Sequence, residues 1–141
     1  MRQLNVSVIL IIISIAGFTQ EKTITLKKGE AVDLLLLSTN QEAKEEMDEY
    51  FSTAVPIAAE WGYQPQYSSK ISTPPTQGNY WPGVFILATW KDYDKRIDFT
   101  TDNVNQYPQF HERRRTIWPT FFLTYWKVEE EQEIRMDAEK I

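Results

Sequence analysis

The 141-residue chain is 42% hydrophobic and 13% aromatic, enough for one packed core and too apolar for a disordered polymer. Its formal charge of −5 argues against nucleic acid and anionic membrane as partners, because such binding needs Lys and Arg to meet phosphates. It has no Cys, so no disulfide can brace it, and with a single His there is no ligand set for structural zinc.

Met1–Asn5 carries one Arg, Val6–Ile15 is an unbroken apolar or Ser run, and Ala16–Thr19 is small or polar apart from Phe18. These are the three regions of a secretory signal peptide over residues 1–19, with cleavage between Ala16 and Gln20. The run is shorter than the roughly 20 apolar residues of a membrane span. The expectation is export, to the periplasm or outside, with no stable membrane anchor after cleavage.

Residues 20–31 read as an N-terminal extension: Glu21–Leu26 alternates as a half-buried strand does, and Lys27–Glu30 supplies a Gly turn, so a hairpin arm is expected. Val32–Thr39 is nearly continuous in apolar residues, which suits a strand covered on both faces. Asp33 interrupts it near its start, where an edge position would keep the carboxylate wet. Thr39 and Glu42 have capping-box spacing. From Ala43, the residues Met47, Tyr50, Phe51, Ala54, Val55, Ala58 and Trp61 recur at threes and fours and form one helical stripe, with Glu45, Glu46, Glu49 and Glu60 outside it. Pro56 falls on the outer side of that helix and Gly62 is its natural stop.

Tyr63–Ser72 is a polar strand whose Pro65 suits an edge, and Thr73–Pro82 is an aromatic loop. Gly83–Trp90 is a clear strand. Asp92 can cap a short, poorly patterned helix over Tyr93–Thr100, which Thr101–Tyr107 breaks. Pro108 opens a second helix to about Trp118, Pro119 ends it, and Phe121–Val128 is the last strand. Residues 129–141 are a charged C-terminal tail, extending the strand or frayed.

The order strand, helix, strand, strand, helix, strand over residues 32–128 is the α+β, ferredoxin-like βαββαβ plan: a four-stranded antiparallel sheet with two helices on one face. The first, third and fourth of these strands are apolar on both alternations, so the second sheet face must also be buried, most simply against a second copy. On that order, and on Tyr50-Phe51, Val55-Pro56-Ile57, Trp61-Gly62, the strand ending in Trp90 and the Tyr107 to Arg114 segment, the chain resembles the dimeric α/β-barrel superfamily, closest to a branch of short domains of unknown function. The resemblance implies a homodimer with a ligand cavity. Its members include antibiotic-biosynthesis-type monooxygenases, haem-degrading enzymes, muconolactone isomerases and plain binding or stress proteins, so it implies no one activity.

His111 and Arg114 are the candidate catalytic residues. A helical wheel from Pro108 puts Phe110, Ile117 and Trp118 on one face, with Arg114 in its middle and His111 at its margin. An inward His serves as a general base or an axial haem ligand; otherwise it is a surface or hydrogen-bonded structural residue. Haem-degrading members place their haem-binding His after a strand ending in Val-Trp-Lys, similar to Ala88-Thr89-Trp90-Lys91 before His111 here. The chain departs from them at Phe99, where a second Trp is expected, and in lacking an Asn in the first strand. Arg114 must find a carboxylate, a carbonyl or an anionic ligand, with an internal salt bridge or a snorkelling stem as the structural roles. Tyr80, Trp81, Trp90, Tyr125 and Trp126 are the candidate ligand-binding set, or else ordinary core and dimer interface.

Two functions follow as expectations. The first is an exported homodimer that binds a small apolar or aromatic ligand without a cofactor. The second is a cofactor-independent or haem-binding monooxygenase- or isomerase-like enzyme on the same scaffold. An RNA-binding domain of this topology is disfavoured by charge, by export and by the lack of a basic and aromatic strand motif.

Overall fold

Ala31 and the first six residues of the apolar run, to Leu37, form a central strand in a computed structural model that describes residues 22–38 and 41–136. The expected signal peptide, its cleavage site and the Thr39 side of the capping box lie outside the described residues. Within them the fold is mixed α+β, with two sheets and three α-helices.

The strands are β1 (Lys22–Leu26), β2 (Ala31–Leu37), β3 (Tyr63–Lys70), β4 (Val84–Trp90), β5 (Phe121–Lys127) and β6 (Gln132–Met136). The helices are α1 (Lys44–Glu60), α2 (Tyr93–Gln106) and α3 (Pro108–Ile117). The larger sheet is antiparallel in the order β3-β4-β2-β5, and β1 pairs with β6 in a separate two-stranded ribbon. Tyr63–Lys70 is an edge strand as its Pro65 requires, and its register slips between Pro65 and Tyr67.

The α1 stripe holds: Ala43, Met47, Tyr50, Phe51, Ala54, Val55, Ala58 and Trp61 are turned at least partly inward, whereas the four Glu residues and Pro56 are exposed. Gly62 ends the helix at φ +97°, where a side chain would be strained, and a Cβ there would also meet Lys91 Cβ at 3.2 Å.

Three expectations are corrected. Asp33 is not at an edge. Strand β2 lies between β4 and β5, and Asp33 is 3% exposed. It is tolerated because Arg96 meets it inside the fold. The helix after Asp92 does not break at Thr101 but continues to Gln106. The Asp92 carboxylate accepts from Lys95 N, and the Thr100 and Thr101 hydroxyls donate to the carbonyls of Arg96 and Ile97, so those threonines are satisfied inside a helix. The N-terminal arm does not fold back on β2 as a hairpin. It pairs with β6, drawn from the expected tail, with Ile24 opposite Ile134.

That ribbon covers part of the sheet face away from the helices. Ile24, Leu26 and Val128 pack with Val32 and Leu87, supported by Tyr67, Phe85, Ile134 and Met136. Along β2 and β5 the rest of that face stays open: Leu34 and Leu36 are half-buried, and Phe122 and Trp126 are 48% and 40% exposed. The second face is therefore partly covered by the chain itself, and partly apolar and bare.

Candidate functional site

Between the helices and the inner sheet face lies a cavity of about 210 Å³. Alternation decides which strand residues reach it: Asp33 and Leu35 from β2, Trp90 from β4, and Phe121, Leu123 and Tyr125 from β5 share the inner face. Helix α1 contributes Tyr50, Phe51, Ala54, Val55 and Ala58, one stripe at helical spacing. Helix α2 contributes Arg96, Phe99, Thr100 and Asn103, and α3 contributes His111 and Arg114. The lining is mostly apolar and aromatic, with a few polar groups converging on it.

Inside this wall Arg96 is 4% exposed. Its Nε donates to both oxygens of Asp33, at 2.9 and 3.1 Å, and its Nη1 donates to Thr100 Oγ1. The guanidinium also lies over the rings of Tyr125 and Trp90, 4.4 and 4.9 Å from their centroids. Burial pushes the Asp33 carboxyl above its ordinary value, against the opposing pull of Arg96 and, more weakly, of the Trp90 indole. That indole N–H is near enough to favour the carboxylate, yet it closes no hydrogen bond of normal geometry.

His111 and Arg114, three residues apart on α3, meet each other. Arg114 Nη2 donates to His111 Nδ1, and the Arg114 guanidinium sits 4.7 Å from the centroid of the Phe121 ring. No carboxylate pairs with Arg114 among the described residues. Its neighbour Arg113 is instead bound to Glu49 on α1, with Nη2 2.6 Å from Oε2. Burial first, then Arg114 and Arg115, hold His111 below its ordinary value, so the ring is neutral near pH 7. With Nδ1 accepting, the proton of the neutral ring is on Nε2, which is enclosed and has no partner among the described residues.

Tyr50 and Tyr63 join Tyr125 in the lining. Burial pushes Tyr63 up to about 12 and raises Tyr50 as well, so both are neutral phenols. Tyr50 also anchors an edge-to-face cluster with Phe51, Phe110 and Trp118, which fixes α1 against α3. A second hollow adjoins the first and shares His111, Arg114 and Phe121 with it, adding Arg115, Trp118 and Pro119. Trp118 Nε1 is buried there with no partner among the described residues.

Of the residues singled out from the sequence, His111, Arg114, Trp90 and Tyr125 come together around this cavity. Tyr80, Trp81 and Trp126 do not line it. Trp126 follows Tyr125 and points to the opposite sheet face. Tyr80 donates from its hydroxyl to Leu36 O at 2.8 Å, and Trp81 is exposed in the β3–β4 loop. Arg96 was not legible as a site residue. Its one signal was indirect: a lone acid within an apolar strand requires a cation from elsewhere.

No family model matches the chain, and no curated protein does. Among solved structures it is similar to the crystal structure of the methylated RPA0582 protein, with a TM-score of 0.53 and 14% identity over 72% of this chain and 82% of that one. A second structure, of RPA0582 from Rhodopseudomonas palustris, described as a protein of unknown function, gives a TM-score of 0.46 and 14% identity over 79% and 84% of the two chains. At this identity the likeness to the first concerns the α+β fold alone.

Proposed function

We propose that this chain is a small-molecule binding protein of the ferredoxin-like, dimeric α/β-barrel kind, holding a single apolar or aromatic ring between its helices and its sheet. The observation that carries this reading is the cavity of about 210 Å³, apolar over most of its wall and furnished with a few converging polar groups. A dry engineered cavity of about 150 Å³ accommodates benzene, so the volume suits one substituted ring. The element order from β2 to β5 and the strand order β3-β4-β2-β5 support the ferredoxin-like assignment.

Homodimerisation is the second part of the proposal. Leu34, Leu36, Phe122 and Trp126 form a bare apolar surface on the sheet face that the ribbon leaves open, and a twofold partner offering the same surface would cover it. The signal-peptide pattern of residues 1–19 supports export.

Binding is favoured over turnover by the state of His111. A general base needs a free lone pair, and the Nδ1 lone pair is occupied by Arg114 while Nε2 carries the proton. Saturation-transfer NMR with a panel of single-ring aromatic compounds tests the reading. Hits are expected with the natural chain and are lost in Ala54→Trp, which fills the cavity from α1. A panel without hits would end it.

A further inference from the structure

The charges around the cavity do not cancel. Asp33 and Arg96 neutralise each other through direct contact, and His111 is neutral near pH 7. Tyr50 and Tyr63 are neutral phenols. Arg114 remains, a guanidinium in the cavity wall with no carboxylate partner among the described residues. The neighbouring unsatisfied groups are of the same kind: His111 Nε2 and Trp118 Nε1 are enclosed N–H donors without acceptors, on residues that line the shared wall or the adjoining hollow. A buried donor without an acceptor is costly, and Arg114, half-buried in the same wall, adds a positive charge beside those donors. Donors gathered without acceptors are what an acceptor-rich anion would satisfy.

From this we infer that the ligand is a monoanionic aromatic acid, its ring in the cavity and its carboxylate against Arg114 at the end formed by α3. The inference rests on the cavity reading above and names the class of ligand that cavity takes. Phe121, at 4.7 Å from the Arg114 guanidinium, and His111, through Nδ1, both restrict the side chain and leave its remaining N–H groups for the carboxylate. The Asp33–Arg96 pair plays a different part: its charges are spent on each other, so it shapes the wall without adding net charge.

Benzoate and benzamide have nearly the same shape and differ in charge, so their affinities separate the anion subsite from the cavity. Calorimetric or NMR titration of the full-length protein is expected to show benzoate binding roughly tenfold or more tightly than benzamide. Arg114→Gln should bring the two affinities together, and Arg114→Lys should restore part of the preference, since it returns the charge without the fork. Equal binding of the two probes by the natural chain overturns the anion subsite and leaves the cavity reading standing. The same holds if the preference for benzoate persists in Arg114→Gln. Binding of neither probe overturns both. Circular dichroism of each variant checks its fold, and the comparison on the natural chain decides the matter even where a variant does not fold.

Discussion

Arg96 Nε donates to both carboxylate oxygens of Asp33, joining helix α2 to the central strand β2 inside the wall of the cavity. Both side chains are 4% exposed, so neither charge has water to fall back on. Breaking such a pair from one side costs about 3–5 kcal/mol, because the other charge is left buried alone. Asp33→Ala should therefore lower the stability measured by urea unfolding by an amount in that range. The double variant Asp33→Leu with Arg96→Met should recover most of it, since a buried pair is often no more stabilising than apolar residues of similar size.

The His111 ring offers a pH test. Its value in the fold is lowered, so the folded protein resists a proton that the unfolded chain accepts. The stability associated with this site is complete above the ordinary histidine value of 6.5, and declines as pH falls below it toward the lower folded value. NMR titration of the ring should give a midpoint under 6.5. In Arg114→Met the midpoint should rise yet stay below that value, because burial is the largest cause and Arg115 remains.

Sedimentation addresses the bare sheet face. A dimer is expected for the natural chain at micromolar concentration, and a monomer for the double variant Phe122→Glu and Trp126→Glu, with circular dichroism unchanged. Both residues lie on the face opposite the cavity, so aromatic-ligand binding should survive in that variant.

The ribbon of β1 and β6 is part of the core. Leu26 is almost fully buried against the cluster that includes Val32, Leu87 and Val128. Leu26→Ala should cost about 2–5 kcal/mol in denaturant unfolding, the range for a large-to-small change in a packed core. The exposed Thr25→Ala beside it should cost far less.

The contrast between α1 and α2 shows what local sequence reveals here. The inward stripe of α1 is apolar, so its periodicity marks both the helix and the face it buries. The inward stripe of α2 is Arg96, Phe99, Thr100 and Asn103, with the correct spacing and the wrong chemistry for a hydrophobic pattern, so its extent and its site residues stayed hidden. Asp33 misled for a related reason: strand order is a non-local property, and an acid in an apolar run looks the same at an edge as beside a buried cation. His111 and Arg114 were legible because polar groups beside Phe110, Ile117 and Trp118 had to be explained. The aromatic strands were apolar on both alternations, so only the position of the helices could separate Tyr125 from Trp126.

The most direct measurement is a methyl-labelled NMR titration of the natural chain with benzoate. Resonances of Leu35, Val55 and Leu123, which line the cavity, should shift in a saturable manner, while those of Ile24, Leu26 and Val128 in the ribbon core should not. Unmoved cavity methyls, or shifts confined to Leu34 and Leu36 on the opposite sheet face, would contradict a ligand site between the helices and the sheet.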